Sequence, residues 1–270
     1  MPIHIVPDEP FGTVLRQSQR AQVGVWVCAG SPTAAEICAG SGVDWLLIDS
    51  EHAPNGLESI LAQLHAVQGY TATPMVRAPH GDPALIKQYL DLGVQNLLVP
   101  MVNSAADAEA VVRAVRYPPR GIRGVGSALA RASRWNRVEG YLQRADELIS
   151  LFIQIETGEA AHNIDEILAV DGIAGVFVGP SDLAASLGVL GEQDHPDVVA
   201  AVDLVISRAR AAGIPVGVNA FVPALADRYI AAGVDFILVA ADVSLLARST
   251  EALAKRFIPT DDAATDQSSY

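Results

Sequence analysis

The segment LISLFIQIETGEAAHNIDEILAVDGIAGVFVGPSDLA, residues 148–184, places two short apolar runs on either side of an amphipathic one. The runs 148–156 and 175–179 are rich in β-branched and aromatic residues, which is typical of parallel strands buried on both faces. Residues 160–169 have the apolar spacing of a helix. The segment therefore predicts a strand–helix–strand unit of an α/β fold, and both of its strands run out into polar residues.

The same alternation continues in both directions until it fills the chain. The candidate strands are 23–29, 45–49, 74–77, 96–102, 148–156, 175–179, 215–219 and 235–240. Amphipathic stretches separate them, at 56–68, 83–92, 105–116, 160–169, 195–212 and 222–232, and glycines typical of helix ends stand before several strands, at Gly42, Gly69, Gly93, Gly213 and Gly233. No G-x-G-x-x-G turn follows the first strand, which argues against an open dinucleotide-binding sheet. The pattern predicts a single (β/α)8 TIM barrel over residues 1–257 and a polar C-terminal tail over 258–270.

Two further segments stand out beside the repeating units. Residues 11–20 predict a short helix that closes the bottom of the barrel. Residues 117–140, YPPRGIRGVGSALARASRWNRVEG, are rich in Gly, Pro and Arg and are too long for an ordinary connection, so we interpret them as a functional loop.

The composition excludes several classes of partner. The formal net charge of −13 over 270 residues argues against nucleic acid and anionic membranes, which need a basic surface. No apolar run reaches the length of about 18 residues that a membrane span requires. Two cysteines, Cys28 and Cys38, do not make a disulfide framework. Together with the absence of a signal-peptide pattern at residues 1–9, these features lead us to expect a soluble, cytoplasmic protein.

Polar and ionisable residues stand where several apolar strands end. Asp49 ends the second strand and Glu51 and His52 follow it, Arg77 ends the third, Gln154 and Glu156 end the fifth, and Ser181 and Asp182 follow the sixth. The C-terminal ends of barrel strands meet at one mouth, where barrel enzymes carry their active sites. The sequence therefore predicts a catalytic site there.

Glu156 and Asp182 belong to adjacent strands, so their carboxylates can meet over the mouth. Two carboxylates without a thiolate suit a hard divalent ion that takes its other ligands from water and substrate. The alternative is that each carboxylate pairs with a helix N-terminus or an arginine. Gln154 points to the same side of its strand as Glu156 and either binds a ligand or is a core amide.

His52 follows a strand behind a carboxylate and is a candidate general base, with Asp49 as one candidate partner; the alternative is a capping histidine in a turn. Arg77 either stabilises a developing oxyanion or forms a salt bridge across the mouth. Lys87 and Lys255 are the two lysines of the chain, and neither lies on a strand. A Schiff base has no suitable nucleophile, so carbanion chemistry has to be assisted by a metal.

These motifs in this order resemble the 4-hydroxy-2-oxoheptanedioate (HpcH/HpaI) aldolases, metal-dependent class II pyruvate aldolases. The resemblance covers residues 11–257 and rests on Trp26, DSEH at 49–52, Arg77, PPRGIRG at 118–124, QIET at 154–157 and VGPSDL at 178–183. It implies a barrel of the phosphoenolpyruvate/pyruvate type and a homohexamer whose last helix packs against a neighbouring subunit. It also implies Mg²⁺, Mn²⁺ or Co²⁺ held by Glu156 and Asp182.

The resemblance further implies a set of residue roles. His52 is the base, Arg77 stabilises the enolate, and Asp91 raises the basicity of the histidine. The expected substrate contacts are Gln154, Ser181 (through its backbone), Asp182, Gly179, Pro180 and Trp26. The implied reaction is reversible aldol addition of pyruvate, or a close 2-oxo acid such as hydroxypyruvate, to an aldehyde.

Three alternatives remain open. An acyl-CoA lyase of the citrate or malyl type shares the barrel and the metal carboxylates but needs a basic groove for the adenine nucleotide. A phosphoenolpyruvate-using phosphotransferase needs lysines or a phosphohistidine, and a non-catalytic metabolite-binding barrel needs no acid, base and metal set. The arginines of the 117–140 loop either reach the mouth and favour acidic aldehydes or pair with acidic neighbours at a subunit contact; they are Arg120, Arg123, Arg131, Arg134 and Arg137.

Overall fold

The computed structural model describes residues 5–259 and contains a closed barrel of eight parallel strands. Each strand pairs with the next along the chain, and the last pairs with the first. The strands are β1 Gln22–Val27, β2 Trp45–Asp49, β3 Thr73–Arg77, β4 Asn96–Val99, β5 Ser150–Ile155, β6 Gly175–Val178, β7 Val216–Asn219 and β8 Phe236–Ala241. The predicted (β/α)8 barrel is confirmed, with strand ends that agree with the prediction to within three residues.

The helices surround the barrel. They are α1 Phe11–Gln17, α2 Pro32–Ala39, α3 Leu57–Ala66, α4 Pro83–Asp91, α5 Ala105–Val115, α6 Tyr141–Leu148, α7 Gly158–His162, α8 Ile164–Leu168, α9 Pro180–Ser186, α10 Pro196–Ala211, α11 Pro223–Ala232 and α12 Asp242–Phe257. The stretch 160–169 predicted as one helix is broken at Asn163, whose side-chain amide donates to the Asn103 carbonyl. Gly233 ends α11 with φ of 93°, and the other four glycines predicted at helix ends also have positive φ.

The barrel interior is filled by large side chains packed against glycines. A Cβ atom on Gly24 would lie 2.5 Å from the Trp45 indole, and Gly217 lies as closely against the Phe236 ring. Phe11 of α1 contacts this interior from below, with its ring centroid 5.5 Å from that of Trp45. Its backbone N–H donates to Asn96 Oδ1 over 2.7 Å. The prediction that this segment closes the bottom is confirmed, although α1 ends before the predicted limit at residue 20.

The 117–140 loop lies at the end of the barrel opposite to the mouth. Helix α5 begins after β4 at the mouth and runs back along the barrel, and the loop follows α5 and precedes the start of β5. Arg120 pairs with Asp146 over 2.8 Å, and Arg123 pairs with Asp91 over 3.0 Å. Of the two alternatives for these arginines, pairing with acidic neighbours is the one observed within one subunit for Arg120 and Arg123, since helical connections bring the loop to the starts of the strands.

Helix α12 buries none of its side chains against the barrel. Its exposed apolar residues include Leu245, Leu246, Leu253 and Phe257. Its first residue, Asp242, accepts from the backbone N–H groups of Cys28 and Ala29 and so attaches the helix to the loop after β1. Residues 260–270 of the predicted tail lie outside the described residues, and none of the helices within 5–259 is both long and apolar enough to cross a membrane.

Candidate active site

The side chains predicted to meet at the mouth do so on the C-terminal ends of β2, β3, β5 and β6. Asp49, Arg77, Gln154 and Glu156 are all buried, with exposed fractions of 1–2%. Burial of charged groups in an apolar barrel is costly unless they are paired or coordinated. The hydrogen-bond and ion-pair partners of these four side chains therefore show which of their atoms are free to bind a ligand.

Arg77 is held between two carboxylates. Its Nε and Nη2 donate to Asp49 over 2.8 Å each, and its Nη1 lies 2.6 Å from Glu51. Burial alone would raise the pKa of Asp49, but the hydrogen bonds and charge of Arg77, with two backbone N–H donors, lower it below its ordinary value. The salt-bridge alternative for Arg77 is thus realised in the structure, and it keeps the planar cation rigid at the mouth.

Asp49 does not contact the imidazole of His52. Its carboxylate accepts from the backbone N–H groups of Glu51 and His52 and shapes the turn after β2. The prediction of Asp49 as the imidazole partner is corrected, because Arg77 occupies both carboxylate oxygens. The His52 side chain is exposed, and its ring forms no hydrogen bond with the residues of 5–259. Glu51 lies within electrostatic reach of His52: burial raises the pKa of the Glu51 carboxyl overall, and the charges of Arg77 and His52 oppose this rise.

Glu156 stands above Gln154 on β5. Its Oε1 accepts from the backbone N–H of Met101 over 2.7 Å, and its Oε2 accepts from the Gln154 side-chain amide. Burial and the neighbouring carboxylates of Glu51 and Asp182 raise the pKa of Glu156 to about 7. Met101 holds a left-handed backbone conformation with φ of 57°, and such strain is concentrated at functional sites.

Gly179 makes room for this pair of side chains. A Cβ atom there would lie 2.8 Å from Gln154 Nε2 and 3.0 Å from Glu156 Oε2. Pro180 begins α9 and is buried, while Asp182 lies exposed in the first turn of that helix. The Ser181 hydroxyl accepts from the Gln193 amide over 2.7 Å, so its side chain is engaged outside the mouth.

The donor set fits a hard divalent cation with two protein carboxylates. Burial raises the pKa of both Glu51 and Glu156, and repulsion from the Asp182 carboxylate raises both further. A cation would remove this repulsion, and Gln154 Oε1 is a buried oxygen without a hydrogen-bond partner in residues 5–259. Within that range no three His, Cys, Asp or Glu side chains form a ligand group, so water and substrate would complete the coordination.

Two residues at the mouth were not assigned roles from the sequence. Glu51 belongs to the DSEH motif at 49–52, but its ion pair with Arg77 forms only in the tertiary structure. Asn219 ends β7 with a buried Oδ1 that lacks a partner among the described residues. A polar residue at the end of an apolar strand was the signal that identified the other site residues, and Asn219 carries the same signal.

Asp91 is not part of the mouth in one subunit. It ends α4 at the opposite end of the barrel, where it pairs with Arg123. A nine-residue helix of about 13 Å separates it from the C-terminal end of β3. The role that the resemblance implies for Asp91 at His52 is therefore corrected for contacts within a single chain.

The comparisons with known proteins agree with the geometry. The family described as HpcH/HpaI aldolase/citrate lyase matches residues 22–249. The chain is 53% identical to a hydroxypyruvate/pyruvate aldolase of Pseudomonas aeruginosa, over 93% of this chain and 94% of that protein. It is 52% identical to a 4-hydroxy-2-oxo-heptane-1,7-dioate aldolase of Shigella flexneri, over 88% of this chain and 89% of the relative.

Solved structures show the same architecture. An HpcH/HpaI aldolase/citrate lyase family protein from Burkholderia cenocepacia has a TM-score of 0.87 and 38% identity, covering 91% of this chain and 98% of its own. The citrate lyase beta subunit of M. tuberculosis, solved with oxaloacetate and magnesium, has a TM-score of 0.57 and 17% identity, covering 91% of this chain and 99% of its own, and shares the fold alone. From the matched length, the identities and the fold, the chain belongs to the HpcH/HpaI aldolase/citrate lyase family.

Proposed function

We propose that this aldolase, a carbon–carbon lyase, converts pyruvate or hydroxypyruvate to its enolate and adds the enolate reversibly to an aldehyde, giving a 4-hydroxy-2-oxo acid. The observation that carries the proposal is the buried group of Arg77, Gln154 and Glu156 at the mouth. Burial and the nearby carboxylates raise the pKa of Glu156 to about 7, and a bound cation would stabilise its charged form. The names of the relatives from P. aeruginosa and S. flexneri support the same chemistry.

We assign Glu156 and Asp182 as ligands of Mg²⁺, Mn²⁺ or Co²⁺. Such an ion, when bound, polarises the keto group and stabilises the negative charge of the enolate. Gln154 holds one oxygen of Glu156 through its amide N–H and so fixes the direction of that carboxylate. Gly179 keeps the space beside both side chains free.

Arg77 supplies a fixed positive charge at the same place. The indole ring of Trp26 covers its guanidinium, with Cζ 4.6 Å from the ring centroid. Asp49 accepts two hydrogen bonds from the guanidinium, and Glu51 forms an ion pair with it, so the cation needs no reorganisation when charge develops on the substrate. Substrate contacts at Trp26, Gln154, Ser181 and Asp182 surround this charge.

We assign His52 as the base that exchanges a proton with the C3 carbon of the 2-oxo acid. Its exposed imidazole lies at the mouth beside Glu51, where a ring nitrogen can take a proton from a bound substrate. The test is exchange of the pyruvate methyl protons with deuterated water, which requires no aldehyde. His52→Ala should slow the exchange by about 10²-fold or more.

The matched control is His80→Ala, because His80 is exposed in the loop after β3 and has no assigned role. Metal affinity should be unchanged in both variants. Equal exchange rates in the two variants would contradict His52 as the base. Retained aldol activity in exhaustive chelator, with borohydride trapping of pyruvate on a lysine, would contradict the metal assignment.

The acyl-CoA lyase alternative loses its main support. The basic segment that would bind an adenine nucleotide is the 117–140 loop, which lies at the other end of the barrel. Arg120 and Arg123 are engaged there by Asp146 and Asp91.

We also propose that the protein is a cytoplasmic homo-oligomer. Helix α12 buries none of its own side chains, and its apolar face is large for a surface exposed to water. A second copy of the chain would cover this face, and the hexamer expected from the resemblance is one arrangement that does so.

A further inference from the structure

Four side chains form one layer inside the barrel, directly below the carboxylates of the mouth. Alternate strands of a barrel contribute the four members of each interior layer. The register of β1, β3, β5 and β7 brings Trp26, Arg77, Gln154 and Asn219 to the same level. The Trp26–Arg77 contact of 4.6 Å agrees with this arrangement.

Three members of the layer carry a buried polar atom that lacks a hydrogen-bond partner anywhere in residues 5–259. These atoms are Trp26 Nε1, Gln154 Oε1 and Asn219 Oδ1. A buried polar group without a partner costs about 1–3 kcal/mol. Natural proteins retain such groups where a ligand or an ordered water completes them.

The missing partner cannot come from below. The next interior layer consists of apolar side chains that are fully buried: Leu47, Leu98, Phe177 and Leu238. The layer is open only toward the mouth, where the substrate enters. Gln154 already donates to Glu156 through its amide N–H. Arg77 donates to Asp49 and lies against Glu51 as an ion pair. Asn219 has no role in the proposed function, and the indole N–H of Trp26 has no assigned partner there.

Trp26 and Asn219 together match a hydroxyl group. The indole offers one N–H donor and the amide oxygen one acceptor, while a hydroxyl accepts one hydrogen bond and donates another. A methyl group at the same place would leave both atoms without partners. The two residues are consecutive members of the layer, and the Trp26 ring packs edge-on at 6.5 Å against Phe221, two residues beyond Asn219.

We propose that Asn219 and the Trp26 N–H bind the hydroxyl on C3 of a 3-hydroxy-2-oxo acid, so that the enzyme selects hydroxypyruvate over pyruvate as the enolate donor. The inference rests on the proposed function. The donor substrate, and not the aldehyde, is the one that reaches this layer, since a donor held at Glu156 and Gln154 faces Trp26 across the barrel. The aldehyde enters afterwards, nearer to the opening, where Met101 is exposed.

The chemistry balances without a further reactant. The C3–H proton passes to the base, C3 forms a bond to the aldehyde carbon, and the aldehyde oxygen takes up a proton. No group is oxidised or reduced. The product from hydroxypyruvate is a 3,4-dihydroxy-2-oxo acid, and its C3 hydroxyl stays in the site formed by Trp26 and Asn219.

The test compares kcat/KM for hydroxypyruvate and pyruvate with one fixed aldehyde. Asn219→Leu keeps the approximate size of the side chain and removes its polar atoms, and Trp26→Phe keeps an aromatic ring over Arg77 and removes the N–H. Each variant should shift the preference toward pyruvate by about 10-fold or more, as expected for buried polar groups that lose their partner. The control, Val222→Ala, changes an exposed residue next to Phe221 and should leave the ratio unchanged.

Equilibrium binding of both acids, followed by tryptophan fluorescence in the metal-loaded protein, gives a second measurement. The wild type should bind hydroxypyruvate more tightly, and Asn219→Leu should remove the difference. A wild type that prefers pyruvate, or variants that lose activity equally with both acids, would overturn the proposal. Failure of the proposed function has a different signature, which is the lack of proton exchange at C3 of either acid in the wild type.

Discussion

The buried ion pair of Asp49 and Arg77 allows a sharp test of how charge is held at the mouth. Asp49→Asn keeps the shape of the side chain and removes its charge. Arg77 then keeps only its ion pair with Glu51 among the two described for it. Removing one member of a buried pair costs about 3–5 kcal/mol. Because Glu51 still neutralises the guanidinium, we expect the lower end, about 3 kcal/mol in the free energy of unfolding.

A second aspartate–arginine pair provides the matched control. Asp44 accepts two hydrogen bonds from Arg20 over 2.6 and 2.7 Å, but the Arg20 side chain is 64% exposed. Asp44→Asn should therefore cost about 1 kcal/mol or less, as exposed pairs do. Urea denaturation of both variants at one protein concentration gives the comparison. Equal losses in the two variants would refute the view that burial makes the mouth pair costly to break.

The lowered pKa of Asp49 determines how the stability difference between the wild type and Asp49→Asn depends on pH. A carboxyl whose pKa is lower in the native state contributes stability that is fully present above the pKa of the unfolded chain, near 3.9. This contribution is lost as the pH falls through the native pKa. The wild type and Asp49→Asn should differ most at neutral pH and converge in acid. A difference that stays constant down to the acid transition would contradict the assignment.

Four further outcomes are expected. Gly179→Ala should remove most activity while the fold is retained, since its Cβ would lie 2.8 Å from the amide nitrogen of the β5 glutamine; unchanged kcat would contradict this. Burial, with two nearby carboxylates, raises the pKa of Cys28 from 9.0 to about 12, so iodoacetamide at pH 8 should alkylate it about 10³-fold more slowly than in the unfolded chain. Phe11→Ala should cost about 3–5 kcal/mol in urea denaturation, because Phe11 is fully buried against the barrel aromatics. The double change of Leu246 and Leu253 to Asp should lower the mass measured by light scattering if α12 lies between subunits, and an unchanged mass would place the contact elsewhere.

The period of the hydrophobic pattern was enough to predict the barrel. Strand β2 was predicted with its exact limits, 45–49, because a buried parallel strand is a continuous apolar run with polar residues on both sides. The glycines at helix ends were predicted because only a residue without a Cβ adopts positive φ without strain. The family and its chemistry followed from strand-end motifs whose position in a barrel is set by topology.

Sequence determined that Asp49, Arg77, Gln154 and Glu156 stand at the ends of barrel strands, because strand direction and side-chain alternation are local properties. Tertiary structure decided which of them contact one another: Arg77 takes Asp49 and Glu51 as partners, and the 117–140 loop stays at the opposite end from the mouth. Ion pairs form between residues far apart in the chain, and their choice depends on barrel register and burial. Asn219 ends a strand as the other site residues do, but only the tertiary structure placed it in one layer with Trp26 and left its amide oxygen without a partner in the described chain.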